Sequence, residues 1–354
     1  MSDTQRLPME IIFRIIDSVI DNPRAIYSPS DAVTKTLLSF TRVCRATHAH
    51  ASNHLRRQCM FIDDPRRLAD CVTYVAKTYP LVPEHGLADG TPIPSSLPGI
   101  RLCPITSLYL VSVLDGRGEH DFLHTAFLIL SLFVLTRSNL KRLILDIPFK
   151  HYTVYAAVHA SICMKTVKQT PLPSLIDAFA LMPELEEFVS LRDPFPPAQD
   201  GSIIRVWAVW PKLRHLALHG PEIKPWFWFN ISAAKRLETL ILTDAGPAEG
   251  CLKSEYFSKT PCDTAETEPP TSLQVVFVAG PRSQLRDDTG KCCLPGRTEW
   301  PSIDPDNLFK VSLRDVPPFP SPSDDLPSHS DTREHMRAAA LRGEIWDWQG
   351  DIVS

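Results

Sequence analysis

The sequence lacks a hydrophobic run long enough to cross a bilayer. Its most apolar stretch, residues 122–135, contains His124 and is shorter than the about 20 apolar residues that a membrane-spanning helix needs. The first ten residues also lack the basic and then apolar order of a secretory signal. We therefore interpret the apolar stretch as a buried helix and expect no membrane partner.

The sequence also lacks an excess of charge of one sign and the short motifs of common enzymes. Lysine and arginine number 37 against 41 aspartate and glutamate residues, so no overall charge attracts nucleic acid. Glycines number only 14, and no Gly-rich phosphate loop, Gly-x-Ser-x-Gly or His-Glu-x-x-His motif occurs. We expect a non-catalytic protein without a cofactor and without a nucleic-acid partner.

Cysteine is present, but not in a metal-binding arrangement. The 9 cysteines are scattered, and Cys292 and Cys293 are adjacent rather than spaced like zinc ligands. His215 and His219 fall in a predicted strand, where a separation of four residues places them about 13 Å apart. We expect no metal site, and reduced thiols in a cytoplasmic or nuclear protein.

What remains is the composition of a folded globular protein, with 44% hydrophobic and 22% charged residues. A length of 354 residues allows two domains, or one repeat array with a small appendage. The 33 prolines predict short elements that are joined by many loops.

The first predicted helix begins near Pro8, which a helix accepts in its first turn. Two apolar stripes run along this helix, although an ordinary amphipathic helix has one stripe of little more than about 100°. The helix therefore needs cover on two sides, and the second cover is either another protein or the rest of the chain. The first stripe is Met9, Ile12, Phe13, Ile16 and Ile20, and the second is Ile11, Ile15 and Val19.

After a turn-rich loop, one further helix is predicted over residues 35–55, with Leu-Leu-x-Phe-x-x-Val-Cys-Arg at its start. Together with Leu-Pro-x-Glu-Ile-Ile-x-x-Ile-Ile near residue 7, this order resembles an F-box over about residues 5–60. The resemblance implies a three-helix module that binds a Skp-type adaptor and, through it, a cullin complex. The adaptor-binding residues that it implies are Leu7, Pro8, Glu10, Ile11, Ile12, Ile15, Ile16, Leu37, Leu38, Val43 and Cys44.

From about residue 100 onwards, a short pattern recurs in which apolar residues are separated first by two positions and then by one. Seven copies begin at residues 105, 140, 185, 213, 237, 273 and 308. The pattern resembles leucine-rich repeats, although the gaps of 24 to 45 residues are less regular than the usual period of about 20–29. Each copy predicts a short strand, and predicted helices lie at 121–138, 152–167, 174–181, 202–210 and 226–235. Alternating strands and helices predict a parallel sheet with right-handed crossovers.

The predicted fold class is therefore α/β, a small N-terminal helical F-box followed by an irregular leucine-rich-repeat-like α/β solenoid with a parallel sheet. The chain is predicted to have four parts. They are the F-box-like helical module (1–62), a linker with a helix and a Pro-rich loop (63–100), the solenoid (101–316), and a Pro/Ser linker with a C-terminal helix (317–354). Polar inserts are predicted near 246–271 and 281–305. The helix at 331–347 is interpreted as an end cap on the last repeat, or alternatively as a detachable partner-binding helix.

The resemblance implies the substrate-receptor subunit of a Skp–cullin–F-box type ubiquitin ligase, in which the solenoid holds a target protein close to the ligase. The target-binding residues are expected on the concave side of the strands, near Ile144, Val189 and Lys310. They are Arg142, Asp146, Glu187, His215, His219, Thr239, Thr243 and Arg314.

Two alternatives stay open. One is a repeat scaffold without a ubiquitin role, which the long loop of residues 21–34 supports because an F-box usually has only a few residues there. The other is an enzyme of unrecognised type, which a buried cluster of titratable residues with perturbed pKa values would indicate.

Overall fold

The computed structural model describes residues 7–79, 103–111, 119–148, 179, 182–192, 206–247, 250–258, 272–280, 294–316 and 329–353. The helices are α1 (Met9–Ser18), α2 (Ala32–Phe40), α3 (Arg45–Gln58), α4 (Pro65–Thr78), α5 (Glu119–Thr136), α6 (Pro225–Ser232), α7 (Leu252–Ser258), α8 (Trp300–Ile303) and α9 (His329–Arg342). The strands are β1 (Phe61–Ile62), β2 (Ser107–Val111), β3 (Arg142–Asp146), β4 (Glu187–Ser190), β5 (His215–His219), β6 (Thr239–Thr243), β7 (Leu273–Ala279), β8 (Phe309–Asp315) and β9 (Asp351–Ile352).

The single helix predicted over residues 35–55 is wrong, because the chain forms two helices there. The break is at Cys44, whose backbone is extended with φ −158° and ψ 173°. The Thr47 hydroxyl accepts a hydrogen bond from the Cys44 backbone N–H at 3.1 Å, which ties the new helix start to the residue before it. The N-terminal part therefore consists of three helices, α1 to α3, that share one small core.

The nine strands of the described residues belong to one sheet, in which their order follows the chain from β1 to β9. Strands β1 to β8 run parallel, and only β9 is antiparallel to its neighbour. Each of the seven sequence copies supplies one of the strands β2 to β8. The predicted α/β class and parallel sheet are therefore confirmed.

Successive residues of a strand point to opposite faces, so each copy contributes to two cores. We call one face the helix-covered face, because helices α4 to α8 pack on it. Its core holds Leu143, Phe188, Leu216 and Leu240 in the strands, together with Phe133 of α5. The apolar stretch at 122–135 lies in α5, whose inner side is buried at Ile129, Leu132 and Phe133, whereas Phe127 on its outer side is 66% exposed. Among the residues that the structure describes, no helix meets the length and hydropathy that a bilayer crossing requires.

The other side of the sheet, which we call the second face, is apolar along the middle of the strands and is covered by residues 329–353, the C-terminal segment. Its core is Ile26, Phe61, Tyr109, Ile144, Val189, Leu191, Ala217, Ile241, Val276, Val278, Met336, Ala339, Ala340, Ile345 and Trp348.

The interpretation of the C-terminal helix as an end cap is therefore wrong, since α9 lies across the second face rather than at the end of the sheet. The last repeat is covered instead by β9, whose Ile352 pairs with Ser312 of β8. The Val353 backbone N–H donates to the Val311 carbonyl at 2.9 Å and extends this pairing.

The remaining sequence predictions differ in outcome. The helix predicted at 226–235 is α6, and the helix at 202–210 is a short 3-10 turn over Val206–Val209. The helices predicted at 152–167 and 174–181 lie outside the described residues, apart from Phe179, as do most of the Pro-rich linkers. The described parts of the predicted polar inserts pack on the sheet, because Leu252 of α7 and Trp300 of α8 are buried in the core of the helix-covered face.

Candidate functional site

The three N-terminal helices pack around a core whose centre is Ile16, Leu37 and Ala51. The start of α2 is fixed by Asp31, whose side chain accepts a hydrogen bond from the Val33 backbone N–H at 2.8 Å. Such a cap satisfies a backbone donor that the first turn of a helix leaves without a partner. The first predicted stripe of α1 faces this core, since Ile16 is fully buried.

Two residues of the second stripe of α1, Ile11 and Ile15, are left on the surface, whereas the third, Val19, is half-buried and packs on the core of the three helices. Leu7, which precedes α1, is 63% exposed. Ile11 and Ile15 lie four positions apart on one face of α1 and are 41% and 45% exposed. Leu38 of α2 is 49% exposed, and Val43 in the following turn is 66% exposed. We call Leu7, Ile11, Ile15, Leu38 and Val43 the exposed N-terminal apolar set.

This set accounts for five of the eight large hydrophobic residues that are exposed in the described parts of the chain. Scattered single hydrophobic residues are normal on a protein surface, whereas a group on one small unit marks an interaction site. The sequence predicted that α1 needs cover on two sides, and in this chain one of the two sides lies open.

The other residues of the predicted adaptor site divide into two groups. Pro8, Glu10 and Cys44 are exposed, so they accompany the apolar set on the surface. Ile12 is half-buried, and Ile16 and Leu37 are fully buried, so these side chains hold the helices together instead of facing a partner. Hydrogen bonding with Thr47 lowers the pKa of the Cys44 thiol below its ordinary value.

The predicted target-binding residues lie on the second face of the sheet, where the C-terminal segment covers them. Arg142 pairs with Glu187 at 3.1 Å, and its guanidinium donates to the Ala340 carbonyl at 3.4 Å. The indole N–H of Trp346 donates to the Glu187 carboxylate at 2.8 Å. Arg142 and Glu187, the first residues of β3 and β4, thus bind the C-terminal segment.

The histidines and threonines among the predicted target-binding residues continue this contact across β5 and β6. His215 stacks on Trp346 with 5.1 Å between ring centroids, and burial lowers the pKa of this imidazole. The His219 ring is 2.9 Å from the Thr243 hydroxyl, which lies 3.2 Å from the sulfur of Met336. Thr239 is half-buried and is aligned with His215 in the sheet.

The predicted target-binding residues Asp146 of β3 and Arg314 of β8 also contact other side chains of the protein. Asp146 pairs at 2.6 Å with Arg192, which follows β4. The guanidinium of Arg314 lies 5.1 Å from the ring centre of Trp348, in a cation–π contact. Arg337 of α9 donates to the Tyr109 hydroxyl at 2.7 Å. At most of these positions the protein's own C-terminal segment fills the space in front of the side chain, so they do not form an open surface in this structure. Target binding at these residues stays a prediction.

The long loop between α1 and α2 connects the N-terminal helices to the same C-terminal segment. The Ile26 backbone N–H donates to the Leu341 carbonyl at 2.7 Å, and the Asn22 side-chain amide donates to the Arg342 carbonyl at 2.6 Å. At Gly343 the backbone has φ +75°, and a Cβ there would lie 2.5 Å from the Cβ of Arg24. Only glycine allows the two segments to approach this closely.

A cluster that the sequence analysis did not identify lies between α1 and α3. The Nε2 atoms of His50 and His54 lie 2.7 and 2.8 Å from one carboxylate oxygen of Asp17. These three residues have ligand atoms within 4.8 Å of one another. Burial raises the pKa of Asp17, but the hydrogen bonds from His50 and His54 outweigh this effect, so that the pKa is lowered overall.

The most deeply buried ion pair of the described residues is structural. Lys253 of α7 and Asp304 pair at 2.7 Å, with side-chain exposures of 5% and 1%. Asp304 also accepts backbone hydrogen bonds from Leu308 and Phe309, so both of its oxygens are engaged. Although burial by itself raises it, these hydrogen bonds lower the pKa of Asp304 overall. The pair fixes α7 to the start of β8 and leaves no oxygen for acid–base chemistry.

No protein-family model matches the chain, and no curated protein is similar enough to count as a match. The function is therefore inferred from the residues themselves.

Proposed function

We propose that this protein is a non-catalytic substrate receptor of a Skp–cullin–F-box type ubiquitin ligase. Helices α1 to α3 are the F-box-like module, and the sheet with its helices is an irregular leucine-rich-repeat-like solenoid. The module binds a Skp-type adaptor, and the solenoid side binds a target protein. Tethering the target near the ligase raises its local concentration without any bond chemistry by this chain.

The exposed N-terminal apolar set is the observation that carries this proposal. All five of its residues belong to the positions at which the sequence resembles an F-box. Within the same motif, the buried residues form the core of the three helices, and the remaining residues lie on the surface. A docking module needs this division into a core and an apolar surface.

A receptor of this kind also needs a surface for its target, and on the second face that surface is covered. We propose that a target reaches Arg142, Glu187 and His215 only when the C-terminal segment moves aside. The detachable helix, which was an alternative in the sequence analysis, is therefore part of the proposed mechanism. A receptor that works in the cytoplasm or nucleus is also consistent with the reduced thiols that the sequence predicts.

The first experiment is co-purification of the full chain with a purified Skp-type adaptor. We expect the wild-type chain to bind, and an Ile11→Asp, Ile15→Asp variant to bind at least about 100-fold more weakly. Burying an isoleucine contributes about 1.5–3 kcal/mol, and each 1.4 kcal/mol is a factor of ten in affinity. Both residues are exposed, so the substitutions leave the core of the helices intact.

The matched control is a Tyr74→Asp, Phe127→Asp variant, which places the same charges at two exposed hydrophobic residues outside α1 to α3. We expect this variant to bind the adaptor like the wild type. If the wild-type chain fails to bind any adaptor tested, the ligase role is wrong.

The second candidate function is an interaction scaffold without a ubiquitin role. One observation favours it: the loop between α1 and α2 binds the chain's own C-terminal segment through Ile26 and Asn22. This contact gives the N-terminal helices a role inside the protein. The adaptor experiment separates the two functions, because a scaffold of this kind retains the loop contact and binds no adaptor.

A further inference from the structure

Asp17, His50 and His54 form a cluster between α1 and α3 to which the proposed function assigns no role. His50 and His54 are one helical turn apart, so they extend from the same side of α3. Asp17 comes from the last turn of α1, 33 positions before His50 in the chain. Both imidazole Nε2 atoms converge on the same oxygen, Oδ1 of Asp17.

The chemistry of these three groups is that of a transition-metal site. Imidazole nitrogens and a carboxylate oxygen are common ligands of Zn²⁺, with metal–ligand distances of about 2.0–2.2 Å. In a tetrahedral site such distances place ligand atoms about 3.3 Å apart, which is about 0.5 Å more than the present separations. Asp17 has a 53% exposed side chain, and a small rotation of it provides this space.

The surroundings hold the ligands in place and leave one position open. The His50 ring stacks on Phe13 with 4.5 Å between centroids, and it meets the edge of His54 at 5.2 Å. The His50 and His54 side chains are 29% and 19% exposed, so water can reach the site from one side. Three protein ligands and a water complete a four-coordinate zinc site.

We propose that Asp17, His50 and His54 form a Zn²⁺ site that links α1 to α3. Asp17 lies two and six residues beyond Ile15 and Ile11, which is about 200° and 240° round the helix. The metal is thus on a different side of α1 from the exposed N-terminal apolar set, and the site does not depend on adaptor binding. Its role is to fasten the two helices whose packing shapes that surface.

The test measures Zn²⁺ binding to the full-length chain at pH 7.5 by competition with a chromogenic chelator. The variants are His50→Gln and His54→Gln, and the control is His124→Gln, which changes an exposed histidine on α5. We expect each cluster variant to lose one equivalent of tightly bound zinc, and the control to bind like the wild type. Since loss of an outer-shell partner alone weakens metal binding about 10–100-fold, loss of a ligand is expected to weaken it by more than about 100-fold.

Two further measurements separate a metal site from a hydrogen-bonded cluster. Zinc is expected to raise the Tm of the wild type and not that of either cluster variant, with circular dichroism showing that all are folded. An Asp17→Cys variant replaces the carboxylate with a thiolate ligand and is expected to retain the zinc equivalent. Equal zinc stoichiometry in the wild type and both histidine variants overturns the proposal, as does loss of zinc from the control alone.

Discussion

The two faces of the sheet are covered in different ways. On the helix-covered face, the connections between strands supply the cover, and Phe133 of α5 and Trp228 of α6 belong to one core with the strands. On the second face a single segment, residues 329–353, provides most of the cover. It reaches from Arg314 of β8 to Tyr109 of β2.

The two faces therefore depend on the rest of the chain in different ways. The core of the helix-covered face is built from several helices, each of which connects two strands. Removing one helix therefore exposes only the strands beneath it. The second core depends on contacts such as the one between Arg142 and Ala340, which are 198 positions apart. Since one segment covers many strands, its loss uncovers all of them together. The cover of the second face therefore depends on one segment, whereas the cover of the other face is divided among several helices.

The largest expected effect comes from deleting residues 317–354. Met336, Ile345 and Trp348 are buried on the second face, and together they contribute roughly 5–9 kcal/mol before the cost of ordering the segment is subtracted. This is comparable with the total stability of a typical domain, about 5–15 kcal/mol. We expect the shortened chain to self-associate and to lose its cooperative thermal transition.

A synthetic peptide of residues 329–354, added in excess, is expected to restore the transition, as followed by circular dichroism and size-exclusion chromatography. An unchanged Tm in the shortened chain would show that the second face needs no cover.

The second prediction compares neighbouring residues of β6 that face opposite ways. Leu240 belongs to the helix-covered core and Ile241 to the second core. Substitution of either by alanine is expected to cost about 2–5 kcal/mol in urea unfolding. Combined with Met336→Ala, however, only Ile241→Ala is expected to show a coupling energy of about 0.5–3 kcal/mol. Equal coupling at the two positions contradicts the separation of the cores.

A third, smaller effect is expected at the junction between the N-terminal loop and the C-terminal segment. In Gly343→Ala, the new Cβ meets Arg24 at 2.5 Å and the backbone keeps a φ of +75°, so we expect a loss of about 2–4 kcal/mol. Gly220 is the matched control, because its φ is +61° and nothing lies within 4 Å of a Cβ there.

Gly220→Ala is expected to cost only the backbone strain, about 1–2 kcal/mol. The two variants are compared by thermal unfolding. An equal loss of stability in both would mean that the contact with Arg24 does not destabilise Gly343→Ala.

The smallest effect is a pH dependence of the second face. Burial lowers the pKa of both His215 and His335, which stack on Trp346 and Trp348. For His215 the neighbouring carboxylates Glu187 and Glu238 oppose this shift, and Arg214 and Arg24 reinforce it. Around His335, Arg314 and Arg342 reinforce it.

Because the unfolded chain then binds protons first, stability is unchanged above about pH 6.5 and falls as the pH decreases from there towards the folded-state pKa values. The free energy of unfolding, measured from pH 7.5 to 5, is expected to fall less in a His215→Gln, His335→Gln variant than in the wild type. An identical slope in both proteins would exclude these two histidines as its source.

Much of the architecture could be predicted from the sequence. The seven apolar copies correspond to strands β2 to β8, because spaced apolar residues on a strand must face a common core. The inward residues of each copy, such as Leu143 and Leu216, are fully buried as the pattern requires. The break between α2 and α3 was missed, since no proline or glycine marks it and the capping group is the pair Cys44 and Thr47.

The cover of the second face was also missed, although a signal for it was present. The middle residue of several copies is apolar, as in Tyr109, Ile144 and Val189, which predicts a buried second face. The charged residues beside them favour an open surface instead. Which part of the chain provides the cover is not visible in any local pattern, because α9 is separated from β3 by most of the chain.

The candidate sites divide in the same way. The second stripe of α1 is readable from helical periodicity, and the four-residue spacing of His50 and His54 is equally visible. Local spacing specifies which side chains share a face of a helix or strand, so the strands, the exposed N-terminal apolar set and the histidine pair can be predicted from it. The meeting of distant segments, such as Asp17 with the two histidines and the C-terminal segment with the second face, follows from the packing of the whole chain and from no local pattern.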